Sequence, residues 1–210
     1  MNDLWLIGGG GHARSVIDVL ESLPQYQIAG VVDRVEKVGE KVLDYPIVAS
    51  DQELTALVKE DRLFLITVGQ IKTPEVRMRL YDTLKKAGGK FATVVSPLAH
   101  CSAHAKVGDG TVVLHFALVN AGAKVGCNSI INTRAIIEHD VQIGQHCHIS
   151  TGAIVNGGAQ IGNGVFIGSQ STVKQELTIC DNVVVGAHSY VAHDITEKGT
   201  YAGAPARLIR

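Results

Sequence analysis

Ionisable side chains crowd into one six-residue window, Ile137-Glu138-His139-Asp140-Val141-Gln142. A histidine beside a carboxylate that orients its ring and raises its basicity is the arrangement of a general base. Asp140 stands next to His139 in this way, and Asn132, seven residues earlier, is a plausible polar neighbour. His146 and His148 follow within nine residues of His139. Three imidazoles could also hold a metal ion, but their spacing matches no ligand pattern, and no metal is expected.

A second window, Gly8-Gly9-Gly10-Gly11-His12-Ala13, lies between a short apolar run (Leu4 to Ile7) and a helical pattern carrying Val16, Ile17, Val19, Leu20 and Leu23. Gly8, Gly10 and Ala13 fit G-x-G-x-x-A, and Asp33 follows Ala13 by twenty residues at the end of a second strand, Ile28 to Val32. Such a turn leaves backbone N–H groups and a helix N-terminus bare for a phosphate or pyrophosphate, and the acid can accept from a ribose or other hydroxyl. His12 could contact the same ligand. Only one mononucleotide-binding half is present, without room for a dehydrogenase domain. A nucleotide-linked small molecule therefore fits better than a nicotinamide cofactor.

Two kinds of element must position these windows. Sampling every sixth residue from Val107 to Val191 gives fifteen consecutive Val or Ile. Neither the strand period nor the helix period produces that, whereas each hexad is one flat side of a parallel β-helix. Three hexads close one coil, so fifteen make about five. The residue four further on is mostly small (Thr111, Ala117, Ala123, Ser129, Cys147, Ala153), as crowded corners require, and glycines after the inward residue suggest turns there. Before this solenoid the pattern is α/β. Strands are expected at Pro46 to Val48, Leu63 to Val68 and Phe91 to Val95. Helices are expected over 52–60, capped by Asp51, and from Thr73-Pro74 to about Ala87. The expected fold is a Rossmann-like domain with a small sheet of four parallel strands over 1–95, followed by an all-β left-handed parallel β-helix over 96–210.

The 210 residues carry a formal net charge of −1, which gives no basic footprint for nucleic acid. The four cysteines show no C-x-x-C pairing and read as reduced structural thiols. No apolar run approaches the length of a membrane span, and the N-terminus lacks the basic region of a signal peptide, so a cytoplasmic protein is expected.

The blocks GGGGHA, INTRAIIEHDVQIG, HISTGAIVNGG, VGAHSYV and AGAPARLIR, in this order across the whole chain, resemble the sialic acid O-acetyltransferase NeuD family of hexapeptide-repeat acyltransferases. That family includes PglD-type N-acetyltransferases of UDP-linked 4-amino sugars. The resemblance implies an acetyl-CoA-dependent homotrimer, with the nucleotide sugar on the α/β domain and the thioester at a seam between solenoids. It makes His139 the general base, Asp140 the acid that raises its basicity, and Asn132 a polar residue near the acceptor amine. It assigns His148, Gly152, Ser169 and Ala187 to acetyl-CoA, which is a co-substrate. It assigns Gly10, Gly11, His12, Asp33, Arg34 and Gly69 to the nucleotide sugar. Arg34 departs from the second acid often found there. The implied reaction is direct acyl transfer to a UDP-linked 4-amino-4,6-dideoxy sugar, with a backbone N–H near Gly157 or Gly158 for the oxyanion. O-acetylation of free or CMP-linked sialic acid is the alternative, and a non-catalytic nucleotide-sugar-binding scaffold is the alternative from another class.

Overall fold

The structure is a computed structural model and describes residues 2–209. The chain begins with strand β1 (Asn2–Ile7), helix α1 (Gly11–Glu21) and strand β2 (Tyr26–Asp33). A short hairpin of β3 (Lys41–Val42) and β4 (Tyr45–Ser50) follows, then α2 (Leu54–Leu57), β5 (Arg62–Ile66), α3 (Glu75–Lys86) and β6 (Lys90–Phe91). The sheet runs β3-β4-β2-β1-β5-β6, parallel except for β3 against β4. It therefore has five parallel strands and one antiparallel edge strand, where four parallel strands were expected. One face packs Leu4, Leu6 and Leu65 on α1 through Val16, Ile17 and Leu20. The other packs Ile7, Phe64 and Ile66 on α2 and α3 through Leu54, Leu80 and Leu84. The chain crosses from β1 to β2 on one side and returns to β5 on the other. The carboxyl ends of β1 and β5 thus flank the crevice where such sheets bind ligands.

Two expected elements differ. The helix over 52–60 shrinks to a 3₁₀ turn, Asp51–Glu53, leading into the four-residue α2. Ser50 rather than Asp51 caps it, by a reciprocal pair in which Glu53 accepts from the Ser50 backbone N–H at 2.8 Å. The single strand expected at Phe91 to Val95 is split. Lys90–Phe91 ends the α/β sheet, whereas β7 (Val94–Val95) pairs with Val112–Val113 and is the first strand of the solenoid.

From there two-residue strands recur every six residues and stack in three parallel sheets. Face one holds β7, Val112–Val113, Ile130–Ile131, His148–Ile149, Phe166–Ile167 and Val184–Val185. Face two runs from His100–Cys101 through Ile136–Ile137 to Tyr190–Val191, and face three from Lys106–Val107 to Thr178–Ile179. All fourteen inward residues from Val113 to Val191 are buried, in one continuous core. β-Branched chains suit this stack because their restricted χ1 lets each methyl pair meet its equivalent eighteen residues on.

The corner sits three residues after each inward residue. There fourteen consecutive positions, from Gly110 to His188, adopt left-handed backbone. Only five of them are glycine. The others keep that conformation because the corner N–H is donated to the coil before, as from Asp140 to Ala121 O at 3.1 Å and from His146 to Cys127 O at 2.9 Å. The glycines that directly follow the inward residue serve a different need from the expected turn. A Cβ on Gly126 would stand 2.5 Å from the Gly144 carbonyl, and one on Gly168 would stand 2.5 Å from Ala187 N. Successive coils approach too closely there for any side chain.

The outward residues distinguish the three faces. Face one (Val94, Val112, Ile130, His148) is buried under the α/β domain. Face three is polar, with Lys124, Gln142, Gln160 and Thr178. Face two presents Leu118, Ile136, Ile154 and Tyr190, half-buried or exposed, with Phe116 and Leu98 exposed beside it.

Candidate active site

His139 occupies the corner between faces two and three, just after Ile136–Ile137. Its Nδ1 lies 3.0 Å from Asp140 Oδ2, and both side chains are well exposed. Left-handed backbone at Asp140 (φ 61°) turns that carboxylate back toward the preceding ring. With Nδ1 donating to the carboxylate, Nε2 carries the free lone pair. The ring lies over the next coil at Gly157, where a Cβ would fall 2.6 Å from Nε2. Glu138 turns away, accepting from Asn120 Nδ2 at 2.9 Å. The N–H of Gly158, one of two glycines considered for an oxyanion, is already given to His139 O at 3.0 Å.

Asn132 lies at a different corner, between faces one and two. Its Oδ1 accepts from Thr133 N at 2.7 Å and its Nδ2 stands 2.9 Å from His148 Nε2. His148 is buried, and its Nδ1 lies 2.6 Å from Gln70 O in the α/β domain. A carbonyl only accepts, so Nδ1 carries the proton and Nε2 accepts from Asn132. Both ring nitrogens are thereby used in the neutral form, and burial pushes the imidazole down to about 4. Gly152, Ser169 and Ala187 follow along the same edge, coil by coil, with Ser169 Oγ 3.0 Å from Ser150 Oγ. The structure thus gathers Asn132, His148, Gly152, Ser169 and Ala187 on one edge and sets His139 and Asp140 on the next. One chain does not bring Asn132 to His139.

The glycine turn forms as its spacing suggests. Gly8 adopts φ 112° and approaches Val68 so closely that a Cβ would stand 2.5 Å from its Cγ2. Thr67 Oγ1 donates to Gly8 O at 2.6 Å. Asp33 fastens the turn, its Oδ2 accepting from Gly9 N and its Oδ1 from Arg34 N, both at 2.7 Å. Arg34 itself is exposed and pairs with Glu36 at 3.1 Å. Gly10 and Gly11 are exposed, with open space where a Cβ would be. A cleft of about 280 Å³ opens beside Gly8, lined by Asp33, Arg34, Asp51, Val68 and Arg79 among others. A larger one, about 600 Å³, joins Gly11, His12 and Gly69 of the α/β domain to Asn132, His148 and Thr151 of the solenoid edge. His12 is pushed down to about 3 by burial and by the nearby Arg77 charge.

Residues 3–84 match the family model of the PglD N-terminal domain, and residues 158–193 match that of the bacterial transferase hexapeptide (six repeats). In both segments the chain is thus similar to PglD-like hexapeptide-repeat transferases. Over 117 residues, 54% of the chain, it is 34% identical to UDP-N-acetylbacillosamine N-acetyltransferase of Bacillus subtilis, and the match spans about half (52%) of that relative. The acetyltransferase domain of PglB from Neisseria gonorrhoeae, solved in complex with acetyl coenzyme A, is 28% identical over 100% of both chains with a TM-score of 0.91. PerB from Caulobacter crescentus, solved with CoA and GDP-perosamine, is 28% identical over 100% of this chain and 98% of its own, also at 0.91.

Three residues that the sequence did not single out join the two domains. Arg77 of α3 is wholly buried, with no carboxylate partner among the described residues. Its guanidinium instead donates to the carbonyls of Ile66 and Val68 and to Asn128 Oδ1 at 2.8 Å. Asn128, at a solenoid corner, passes the contact on from its Nδ2 to His146 Nδ1 at 2.9 Å. Gln70 holds His148. A Ser-His-Asp chain also spans the domains, Ser96 Oγ at 2.6 Å from His115 Nδ1 and His115 Nε2 at 2.8 Å from Asp18 Oδ2. It lacks a nucleophile's exposure, since Ser96 is buried and its Oγ already accepts from Leu98 N.

Proposed function

We propose that the chain transfers the acetyl group of acetyl-CoA to the amine of a nucleotide-linked 4-amino-4,6-dideoxy sugar, UDP being the favoured nucleotide, with His139 as general base. The observation that carries the reading is the His139–Asp140 pair. It stands on an unbroken solenoid wall, with both side chains well exposed and no hydrogen-bond partner at Nε2 among the described residues. The B. subtilis UDP-N-acetylbacillosamine N-acetyltransferase, the N. gonorrhoeae acetyltransferase domain bound to acetyl coenzyme A and the C. crescentus protein bound to CoA and GDP-perosamine support the donor, acetyl-CoA, and the acceptor class. The nucleotide sugar rests on Gly10, Gly11 and His12, with Asp33, Arg34 and Gly69 beside it. Acetyl-CoA runs along the edge of His148, Gly152, Ser169 and Ala187.

In the reaction His139 Nε2 removes a proton from the acceptor amine as its lone pair attacks the thioester carbonyl. The carbon–sulfur bond breaks as the tetrahedral intermediate collapses, and the CoA thiolate takes a proton, supplied by the same imidazolium. Asp140 holds the ring through Nδ1 and stabilises its protonated form. The base and the thioester edge lie at adjacent corners of one prism, so they meet when a second solenoid packs alongside. The apolar outward residues of face two, Leu118, Ile136 and Ile154, fit that role, and the assembly is a homotrimer with one site per seam.

The test is thiol release from acetyl-CoA in the presence of UDP-4-amino-4,6-dideoxy-N-acetylglucosamine, with CMP-sialic acid as the competing acceptor. The reading expects turnover with the amino sugar. It also expects His139→Ala to lower kcat by about 10²–10⁴-fold while binding of UDP and CoA persists. Turnover near the wild-type rate in His139→Ala removes the general-base assignment, and turnover with CMP-sialic acid alone moves the enzyme to O-acetylation.

A further inference from the structure

Among the described residues, four buried side-chain polar atoms have no hydrogen-bond partner, and three of them belong to His12, Gln70 and Arg77 at the junction between the domains. His12 and Gln70 both line the 600 Å³ cleft that joins the glycine turn to the Asn132–His148 edge. Gln70 is only 2% exposed. Its main-chain carbonyl is fixed, accepting from His148 Nδ1. Its side chain is not. The Nε2 reaches Gly164 O at 3.4 Å, the outer limit of a hydrogen bond, and Oε1 has nothing. A buried amide oxygen left unpaired is costly, so a ligand that offers it a donor has an advantage over one that does not.

We propose that Gln70 is a specificity-determining residue for the acceptor sugar: its amide turns into the cleft and Oε1 accepts a hydrogen bond from an N–H or O–H on the sugar ring. The inference rests on the reading of this cleft as the place of a nucleotide-linked sugar. The nucleotide has its own anchor at Gly10 and Gly11, and the thioester has its own edge. The cleft between them is left for the ring, and it faces the ring with neutral groups. Burial, with the nearby Arg77 charge adding to it, keeps His12 uncharged, so it cannot form an ion pair with a diphosphate. Both side chains therefore suit a hydroxylated or aminated pyranose. The side chain of Gln70 can be changed without touching the main-chain bond that holds His148.

The experiment compares Gln70→Met, which keeps volume and removes both polar atoms, with Gln70→Glu, which keeps an acceptor and removes the donor. Calorimetry gives Kd for UDP, for CoA and for the UDP- and GDP-linked 4-amino-4,6-dideoxy sugars, and kinetics give kcat/KM. The expected result is a loss of about tenfold or more for the sugar nucleotide in Gln70→Met, from the unpaired group, with UDP and CoA within about twofold of wild type. Gln70→Glu recovers part of that loss, because an oxygen again faces the ring. A role limited to the Gly164 bond, or a buried water serving Oε1, gives the opposite order or no difference, and either overturns the proposal. Equal weakening of UDP, CoA and sugar nucleotide in Gln70→Met overturns it too, as collapse of the loop. A wild-type protein that binds neither sugar nucleotide overturns the proposed function, and this inference with it. A wild-type enzyme that turns over, beside variants that do the same, overturns this inference alone.

Discussion

At the scale of the residue, the His139–Asp140 pair is legible because its members are neighbours in sequence, and its geometry depends on little else. The ring's position is set by Gly157, which nothing in the hexad pattern marks. A Cβ there would meet the far end of an exposed side chain rather than backbone, so Gly157→Ala is expected to displace the imidazole at little cost to the fold. The prediction is a fall in kcat of about tenfold or more, with the thermal midpoint unchanged within about 2 °C. His148 shows the opposite case. Its partners come from another domain and another coil, and no spacing rule announces them. Its folded-state value of about 4 lies below the ordinary 6.5, so between those values the unfolded chain binds more protons than the folded one. Stability from this group is therefore complete above about pH 7 and is lost as the pH falls toward 4. Between pH 7 and 5 the loss is about 2 kcal/mol, at 1.36 kcal/mol per unit. Replacing His148 with glutamine, which does not titrate, should flatten the acid slope of the unfolding midpoint, measured by thermal scans across that range. An unchanged slope would remove His148 from the acid limb.

At the scale of the element, the six-residue period carries the solenoid without help from propensity. It hides the solenoid's first strand, β7, for a local reason. Val95, Cys101 and Val107 continue the period backward, but Cys101 interrupts the Val/Ile series and Ser96-Pro97 reads as a chain exit. The docking of Val94 and Val112 under α1 then decides the matter by burial, which is a tertiary fact. Corner chemistry is likewise obscure in sequence, because left-handed backbone falls on Phe116, Arg134 and Glu176 as readily as on glycine. Two glycine positions separate the two demands. Gly126 is needed for coil-to-coil approach, and its substitution by alanine drives a methyl into backbone that cannot yield. Gly152 is needed for its φ of 66°, and its nearest obstacle is the flexible Gln170 side chain at 3.4 Å. Gly152→Asn should thus cost under about 1 kcal/mol, because asparagine tolerates that backbone, and Gly126→Ala about 1–3 kcal/mol. Denaturant midpoints would show it, and the reverse order would mean that corner backbone, not coil spacing, limits the prism.

At the scale of the whole molecule, the division of labour between corners decides what an active unit is. The His139–Asp140 pair, the proposed base, sits at one corner and the proposed thioester edge at the next, with face two and its apolar residues between them. A charge on that face, as in Ile154→Glu, should dissociate the proposed trimer in sedimentation and remove activity together with it, since hydrophobic face-to-face packing leaves no partner for a buried carboxylate. That result alone does not say whether each site draws on two chains or is merely supported by its neighbour. Mixing two inactive proteins does. In a random co-assembly of His139→Ala with Asn132→Ala, a seam is whole when its base comes from the Asn132→Ala chain and its edge from the His139→Ala chain. Each condition holds for half of the chains, so at equal input about a quarter of the seams recover, and wild-type turnover returns to about that fraction. Sites built within one chain would recover nothing at any ratio. The dependence on mixing ratio is a further check, because a shared seam follows the product of the two fractions and peaks at equal input.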